Sequence, residues 1–97
     1  MQVTFLTLAQ QEVDEAVQWF GQSDADLSQS FLNDLAQAVN LIKKFPYASF
    51  QVVPEVRRCL FAHYPYALIY SVVEETILVL ALAHTSRKPD YWVDRLK

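Results

Sequence analysis

Cysteine, glycine and long apolar runs are all scarce in this 97-residue chain, and each shortage excludes a class of protein. A single cysteine, Cys59, cannot form an internal disulfide or supply a structural metal site, which indicates a reducing compartment and no bound metal. No apolar run reaches the roughly 18 residues that a membrane-spanning helix needs. Because the first residues also lack the pattern of a secretory signal, we expect a cytoplasmic protein without a membrane partner.

Basic residues are scarce in the first half of the chain. Residues 1–48 carry six acids against Lys43 and Lys44, and the whole chain has a net charge of −3. Such a balance disfavours general affinity for nucleic acid, since phosphate neutralisation supplies most of that affinity. All four arginines lie in the second half, where they could form one local cationic surface.

Hydrophobic residues make up 53% of the chain, and their spacing predicts regular elements within a single domain over residues 1–97. Two helices are predicted, one beginning at Thr7 and closed by Gly21, the other over residues 24–45. Residues 47–54 show no period and are predicted to be a connector. Strands are predicted at residues 2–6, 56–61, 66–73 and 76–83, with a weak helix at 90–96.

This element order, β-α-α-β-β-β, places the chain in the α+β class. A short turn joins the two helices, so they form an antiparallel hairpin. The last two strands are apolar on both faces, which means that both faces must be covered. We expect the helices on one face and the C-terminal tail or a partner on the other.

A series of motifs in the second half resembles the RelE/ParE superfamily, the toxins of type II toxin–antitoxin systems, which includes ParE-like plasmid stabilisation proteins. The motifs are Arg57 with Arg58, the triplet Tyr64, Pro65 and Tyr66, the pair Ile69 and Tyr70, the strand 77–83 ending at His84, and residues 87–92. The helical half is also similar, at Glu12, Ala16, Trp19, Phe20 and Phe31. The resemblance implies a helical hairpin on a small antiparallel sheet, a short C-terminal helix or tail, and a cognate antitoxin whose disordered segment folds onto the toxin.

Within this superfamily, ParE-like members inhibit growth through protein contact with DNA gyrase and are not enzymes themselves. That mode fits the composition, because it needs no catalytic constellation or cofactor and tolerates an acidic surface. The residues expected to bind the target or the antitoxin are Arg57, Arg58, Arg87, Tyr91, Trp92 and Arg95. Arg57 and Arg58 point to opposite faces of their strand, so at most one of them reaches a given site.

Two alternatives stay open. RelE-like members are ribosome-dependent mRNA endonucleases, and the resemblance would then place Arg58, His84, Arg87 and Tyr91 in catalytic roles around the scissile phosphate. Against it, residues 47–55 contain no lysine or arginine to dock on ribosomal RNA. The other alternative is a decayed, non-toxic module that only binds antitoxin, and a toxin without its antitoxin could pair with itself as a homodimer.

Several candidate residues also fit ordinary structural roles. His84 can be a hydrogen-bonded packing residue at a strand end, and Tyr91 and Trp92 can pin the tail over the sheet. His63 lies in a predicted turn, where we expect it to be solvated. The helical period places Glu12 on the side of the first helix that faces away from the core.

Overall fold

The computed structural model describes residues 1–88 and 90–96, apart from the side chain of Leu96. Its elements are β1 (Gln2–Phe5), α1 (Thr7–Ser23), α2 (Ala25–Lys44), β2 (Phe50–Val53), β3 (Val56–Leu60), β4 (Tyr66–Val73), β5 (Thr76–His84) and a 3₁₀ turn (Val93–Leu96). The predicted α+β class with a helical hairpin is confirmed. Pro89, part of the motif over residues 87–92, and Lys97 lie outside the described residues.

The sheet has five strands in the order β1-β5-β4-β3-β2. The pairs β2–β3, β3–β4 and β4–β5 are antiparallel, whereas β1 runs parallel to β5. The parallel pair arises because the helical hairpin separates β1 from the other strands, so that β1 joins the sheet beside the last strand of the chain. The expected antiparallel sheet is therefore a mixed one.

The prediction that residues 47–54 form only a connector was wrong, since they contain the edge strand β2. Phe50 pairs with Arg58 and Val53 with Val56, which closes a tight hairpin. Its turn holds Glu55 at φ 67°, a left-handed conformation that costs a non-glycine residue about 1–2 kcal/mol. The strand is four residues long and mostly exposed, so no alternation of burial marks it in the sequence.

The two helices are joined at Asp24, an extended residue whose side chain caps α2. Its Oδ1 accepts a hydrogen bond of 2.9 Å from the backbone N–H of Asp26, as expected of an N-terminal acid. Gly21 does not close α1, contrary to the prediction, because the helix continues to Ser23 and no glycine adopts a positive φ. The extended backbone of Asp24, with φ −165°, ends it.

Both faces of the sheet are buried, as the apolar strands predicted. The helix-side core includes Phe31 and Ile42 from α2, packed on sheet residues such as Tyr70. The tail-side core is smaller and contains Val56, Ile69, Leu80, Ala81 and Trp92. Leu80 has no partner in the register, because Ile69 pairs with Ala81 and Tyr70 with Val79, and this bulge leaves Leu80 and Ala81 in the same core.

A buried carboxylate, Asp34 of α2, holds the turn between β3 and β4. Its Oδ2 accepts hydrogen bonds of 2.9 Å from the backbone N–H groups of His63 and Tyr64, and its Oδ1 lies 3.0 Å from His63 Nδ1. Burial alone would raise the pKa of Asp34, but the bonds from His63 and Tyr64 outweigh it and keep that pKa below its ordinary value. His63 does lie in a turn, and its side chain is 74% exposed, but the expectation that it is only solvated was incomplete because Asp34 binds it.

Candidate functional site

The side chain of Glu12 on α1 faces β5 and the tail, which we define as the described residues after β5. The prediction that Glu12 faces away from the core was wrong. Its Oε1 accepts a bond of 3.2 Å from the backbone N–H of Leu82 in β5 and one of 2.7 Å from Arg95 Nη1. Arg95 also donates to the carbonyl oxygen of Leu80, at 2.9 Å. One acid on the first helix thus fixes an arginine near the C-terminal end of the described chain to β5.

Tyr91 and Arg87 complete this arrangement around Glu12. The Tyr91 hydroxyl donates to Glu12 Oε2 at 2.8 Å and also lies 3.2 Å from the carbonyl oxygen of Leu82. The Arg87 guanidinium carbon stands 3.6 Å from the centre of the Tyr91 ring, and its Nη1 is 3.5 Å from Glu12 Oε2. Burial and the hydrogen bond to Glu12 raise the pKa of the Tyr91 phenol far above its ordinary value. We call Glu12, Arg87, Tyr91 and Arg95 the Glu12 network.

A cavity of about 310 Å³, the sheet-face groove, lies on the tail side of the sheet between β2 and the tail. Ala67 of β4 pairs with Ala83 of β5, and both line it beside Ile69. Two small side chains on adjacent strands leave a depression in the sheet surface. Its lining residues are Phe50, Val52, Val53, Arg58, Ala67, Ile69, Ala83, His84, Thr85, Arg87, Lys88, Asp90, Trp92 and Val93.

The rim of the groove is cationic. Arg58, Arg87 and Lys88 line it with one acid, Asp90, which leaves a surplus of two positive charges on a chain of net charge −3. Arg58 pairs with Ile69 across the strands and therefore points to the tail side, where its guanidinium lies 5.5 Å from the centre of the Phe50 ring.

Arg57 occupies the opposite face of β3, in agreement with the alternation expected for neighbouring strand residues. It pairs with Tyr70, whose side chain is in the helix-side core. Its Nη1 donates to the carbonyl oxygens of Tyr47 and Ser49, both at 2.9 Å. These bonds hold the segment that leads into β2, so Arg57 contacts the sheet edge and does not line the groove.

Three of the four residues of the nuclease hypothesis share one site. Arg58, His84 and Arg87 line the sheet-face groove, whereas Tyr91 does not, and its hydroxyl lies in the Glu12 network. His84 Nδ1 is 2.7 Å from Ser86 Oγ and 3.1 Å from the Ser86 backbone N. Its ring meets the edge of the Tyr66 ring with centroids 5.0 Å apart. The Nδ1 atom is therefore engaged by the turn that follows β5.

Apart from Arg57, which contacts the sheet edge, the binding residues inferred from the sequence fall into two groups. Arg58, Arg87 and Trp92 line the groove, while Tyr91 and Arg95 hold the tail in place through Glu12. Sequence reasoning missed Phe50, Val52, Val53 and Lys88 as groove residues and Glu12 as the organiser of the tail. Glu12 was among the residues carrying the resemblance, which was the one available signal for its importance.

Residues 1–88 and 90–96 offer neither a metal-binding cluster nor a membrane-spanning helix. These residues contain no group of three or more His, Cys, Asp or Glu side chains that could hold a metal ion. Neither described α-helix combines the length and hydropathy required to cross a bilayer.

The chain is similar to a described protein family and to solved structures. A family model described as the ParE toxin of the type II toxin–antitoxin system, parDE, matches residues 3–89. A solved structure of the chromosomal ParDE system from P. aeruginosa superimposes with a TM-score of 0.76 at 14% sequence identity, covering 89% of this chain and 97% of that chain. At this identity the structural match shows the fold alone. No curated protein matches the sequence.

Proposed function

The chain belongs to the ParE toxin family of type II toxin–antitoxin systems, and on this premise we propose that it stops growth by binding DNA gyrase in the cytoplasm. A cognate antitoxin, encoded beside it, neutralises this activity. The inhibition is stoichiometric protein contact and involves no covalent chemistry, cofactor or metal.

The observation that carries this proposal is the Glu12 network. A ribonuclease needs groups that can give or take a proton at the scissile phosphate. The Tyr91 hydroxyl instead donates a hydrogen bond to Glu12, and its raised pKa makes it a weaker acid than a free phenol. Arg87, a second residue of the nuclease hypothesis, also contacts the Glu12 carboxylate, at 3.5 Å. Both side chains thus have structural partners, which supports a contact toxin.

The overall charge supports the same mode. Ribosome-dependent cleavage requires the toxin to dock on a dense array of phosphates, which a chain of net charge −3 disfavours. A protein target does not impose that cost. Arg58, His84 and Arg87 do share the groove, so the RelE-like nuclease is the second candidate that an experiment must separate.

The test combines induced expression in bacteria with two assays of the purified protein. We expect growth arrest that is relieved by co-expression of the adjacent small reading frame. We also expect inhibition of gyrase supercoiling while mRNA in a translating extract stays intact. Ribosome-dependent mRNA cleavage would contradict the proposal in favour of the nuclease. Normal growth, combined with antitoxin binding, would instead favour the decayed module.

A further inference from the structure

We propose that an exposed apolar surface at the C-terminal end of α2 is where the toxin contacts gyrase, and that the contacted part of gyrase carries carboxylates beside apolar side chains. We call this surface the α2-end patch, and its residues are Leu41, Phe45, Phe50 and Leu60. The inference rests on the proposed function, because it takes gyrase as the partner. It adds the surface of contact and the chemistry that this surface recognises.

The α2-end patch surrounds a depression at the place where β2 ends before β3 does. The strand β2 begins at Phe50, opposite Arg58, whereas β3 continues to Leu60. The end of α2 and the segment that follows it bound the remaining space, a cavity of about 330 Å³. A corner of this kind admits side chains of a partner without displacing any element of the toxin.

Four large apolar side chains are exposed side by side at this corner. The exposed fractions are 49% for Leu41, 57% for Phe45, 66% for Phe50 and 56% for Leu60. Single apolar residues on a surface are ordinary, but a contiguous group around one depression is typical of a protein interaction site. The Arg58 guanidinium beside the Phe50 ring adds to this composition, because aromatic and arginine side chains are enriched in interfaces.

Hydrogen bonds from the residues beneath it fix the segment between α2 and β2. The Tyr70 hydroxyl donates to the carbonyl oxygen of Pro46 at 2.8 Å. Arg57 donates to the carbonyl oxygens of Tyr47 and Ser49, both at 2.9 Å. The patch is therefore ordered before a partner arrives. Such a surface suits a folded enzyme such as gyrase, because no loop of the toxin has to be ordered on contact.

The charge around the patch selects an acidic partner. Between residues 35 and 73 the sequence has one acid, Glu55, and four cations: Lys43, Lys44, Arg57 and Arg58. This stretch thus has a surplus of three positive charges in a chain whose net charge is −3. A carboxylate in the partner, next to the apolar side chains that fill the corner, matches this surplus and speeds association.

The same features disfavour two other occupants. A second copy of the toxin, related by a two-fold axis through the patch, would bring Lys44 and Arg58 of both copies together, and such like charges repel. A single-stranded nucleic acid would need rings on which its bases could stack, but Leu41 and Leu60 are aliphatic. An acidic protein surface with apolar side chains is the remaining match.

The experiment measures the dissociation constant between the full-length toxin and purified gyrase in the absence of DNA. Leu41→Gln removes one apolar side chain of the patch. Leu27→Gln is its matched control, because it makes the same change at an exposed position on the same helix, about 20 Å away along its axis. Lys44→Glu reverses one charge beside the patch. All three positions are exposed, and urea denaturation checks that each variant is folded.

We expect Leu41→Gln to weaken gyrase binding by about fivefold or more, because a half-exposed leucine loses its cover in the complex. Lys44→Glu should weaken binding by about tenfold at low salt, because an attraction becomes a repulsion. Added salt should reduce the effect of Lys44→Glu and leave that of Leu41→Gln. Leu27→Gln should bind within about twofold of the starting toxin.

The possible negative results have different meanings. Equal gyrase affinity for the starting toxin, Leu41→Gln and Lys44→Glu would overturn the patch as the contact surface and leave the proposed function standing. Failure of the starting toxin to bind or inhibit gyrase would overturn the proposed function, and the patch assignment with it.

Three further measurements on the same variants identify other occupants. They are binding to the purified product of the adjacent small reading frame, self-association by analytical ultracentrifugation, and binding to single-stranded DNA alone. If Leu41→Gln or Lys44→Glu weakens one of these while gyrase affinity stays unchanged, the patch belongs to that occupant and the proposal is wrong.

Discussion

Glu12 shows how much of the structure can depend on one side chain. Its two carboxylate oxygens accept hydrogen bonds from Leu82, Tyr91 and Arg95, which join α1 to β5 and the tail. The side chains of Glu12 and Arg95 are only 12% and 13% exposed. Charges at this depth need their partners, because removal of one leaves the other desolvated and uncompensated.

Substitution of Glu12 by alanine should therefore destabilise the fold strongly. We expect the free energy of unfolding to fall by about 3 kcal/mol or more, as for other buried pairs that lose one partner. Urea denaturation followed by circular dichroism measures this change. Glu15→Ala, on an exposed position of the same helix, is the matched control and should stay within about 0.5 kcal/mol. Equal effects of the two substitutions would show that the Glu12 network adds nothing to stability.

Asp34 is the second acid whose role depends on distant residues. Its partners His63 and Tyr64 are 29 and 30 positions away in the sequence, and the bonds they donate keep the carboxylate ionised in the folded chain. A carboxyl with a lowered pKa binds its proton less readily in the folded state than in the unfolded state. Its contribution to stability is therefore complete above the ordinary pKa of 3.8 and is lost as the pH falls through the lower folded value.

Asp34→Asn should reduce the free energy of unfolding by about 1–3 kcal/mol at pH 7, the cost of lost hydrogen bonds to a charged group. The difference between the two proteins should begin to shrink as the pH falls below 3.8, where the unfolded chain binds the proton, and should continue to shrink until the folded Asp34 is neutral as well. Urea denaturation at neutral and acidic pH measures this difference. A gap that is independent of pH would contradict the role given to the ionised carboxylate.

Both acids also show why some residue roles could not be predicted from the sequence. The helical period places Glu12 beside the apolar stripe of α1 but does not show that this flank is covered, because its partners Tyr91 and Arg95 lie 79 and 83 positions away. No local pattern specifies which distant residues will cover that flank. The prediction for His63 was incomplete for the same reason, because the acid that binds it lies on another element.

At the scale of the elements, long and strongly patterned segments were predictable and short exposed ones were not. The strands β3, β4 and β5 were predicted to within one residue at either end. In β4 and β5 the reason is that both sheet faces are buried, so that their apolar runs are nearly continuous. The edge strand β2 exists only through its pairing with β3. It has neither the length nor the burial to show a period.

The tail covers the second face of the sheet. Substitution of each of the two tryptophans in turn tests this role, because only Trp92 belongs to the tail. Trp92 is 3% exposed in the tail-side core, whereas Trp19 of α1 is 68% exposed. Trp92→Ala should lower the free energy of unfolding by about 3–5 kcal/mol through the cavity that it leaves. Trp19→Ala should change it by at most about 0.5 kcal/mol, with both measured by chemical denaturation. A small effect at Trp92 would mean that the tail does not stabilise the sheet.

At the scale of the whole molecule, both ends of the described chain meet at β5. The strand β1 pairs with β5 along one edge, and Arg95 of the tail donates to the carbonyl oxygen of Leu80 within it. The groove lies beside this junction and takes its tail wall from the same interactions. The groove is therefore a product of tertiary contacts, which explains why the sequence could name the candidate arginines but could not show which of them line the groove and which hold the tail.

This toxin is proposed to act by contact with gyrase. The most direct test is whether the toxin concentration needed for inhibition depends on the gyrase concentration. The toxin concentration for half-inhibition of supercoiling is measured at several gyrase concentrations, all above the dissociation constant. A contact inhibitor must be present in amounts comparable to its target, so that concentration should rise in proportion to gyrase. Inhibition by a small, constant amount of toxin, or no inhibition together with cleaved mRNA, would contradict the account.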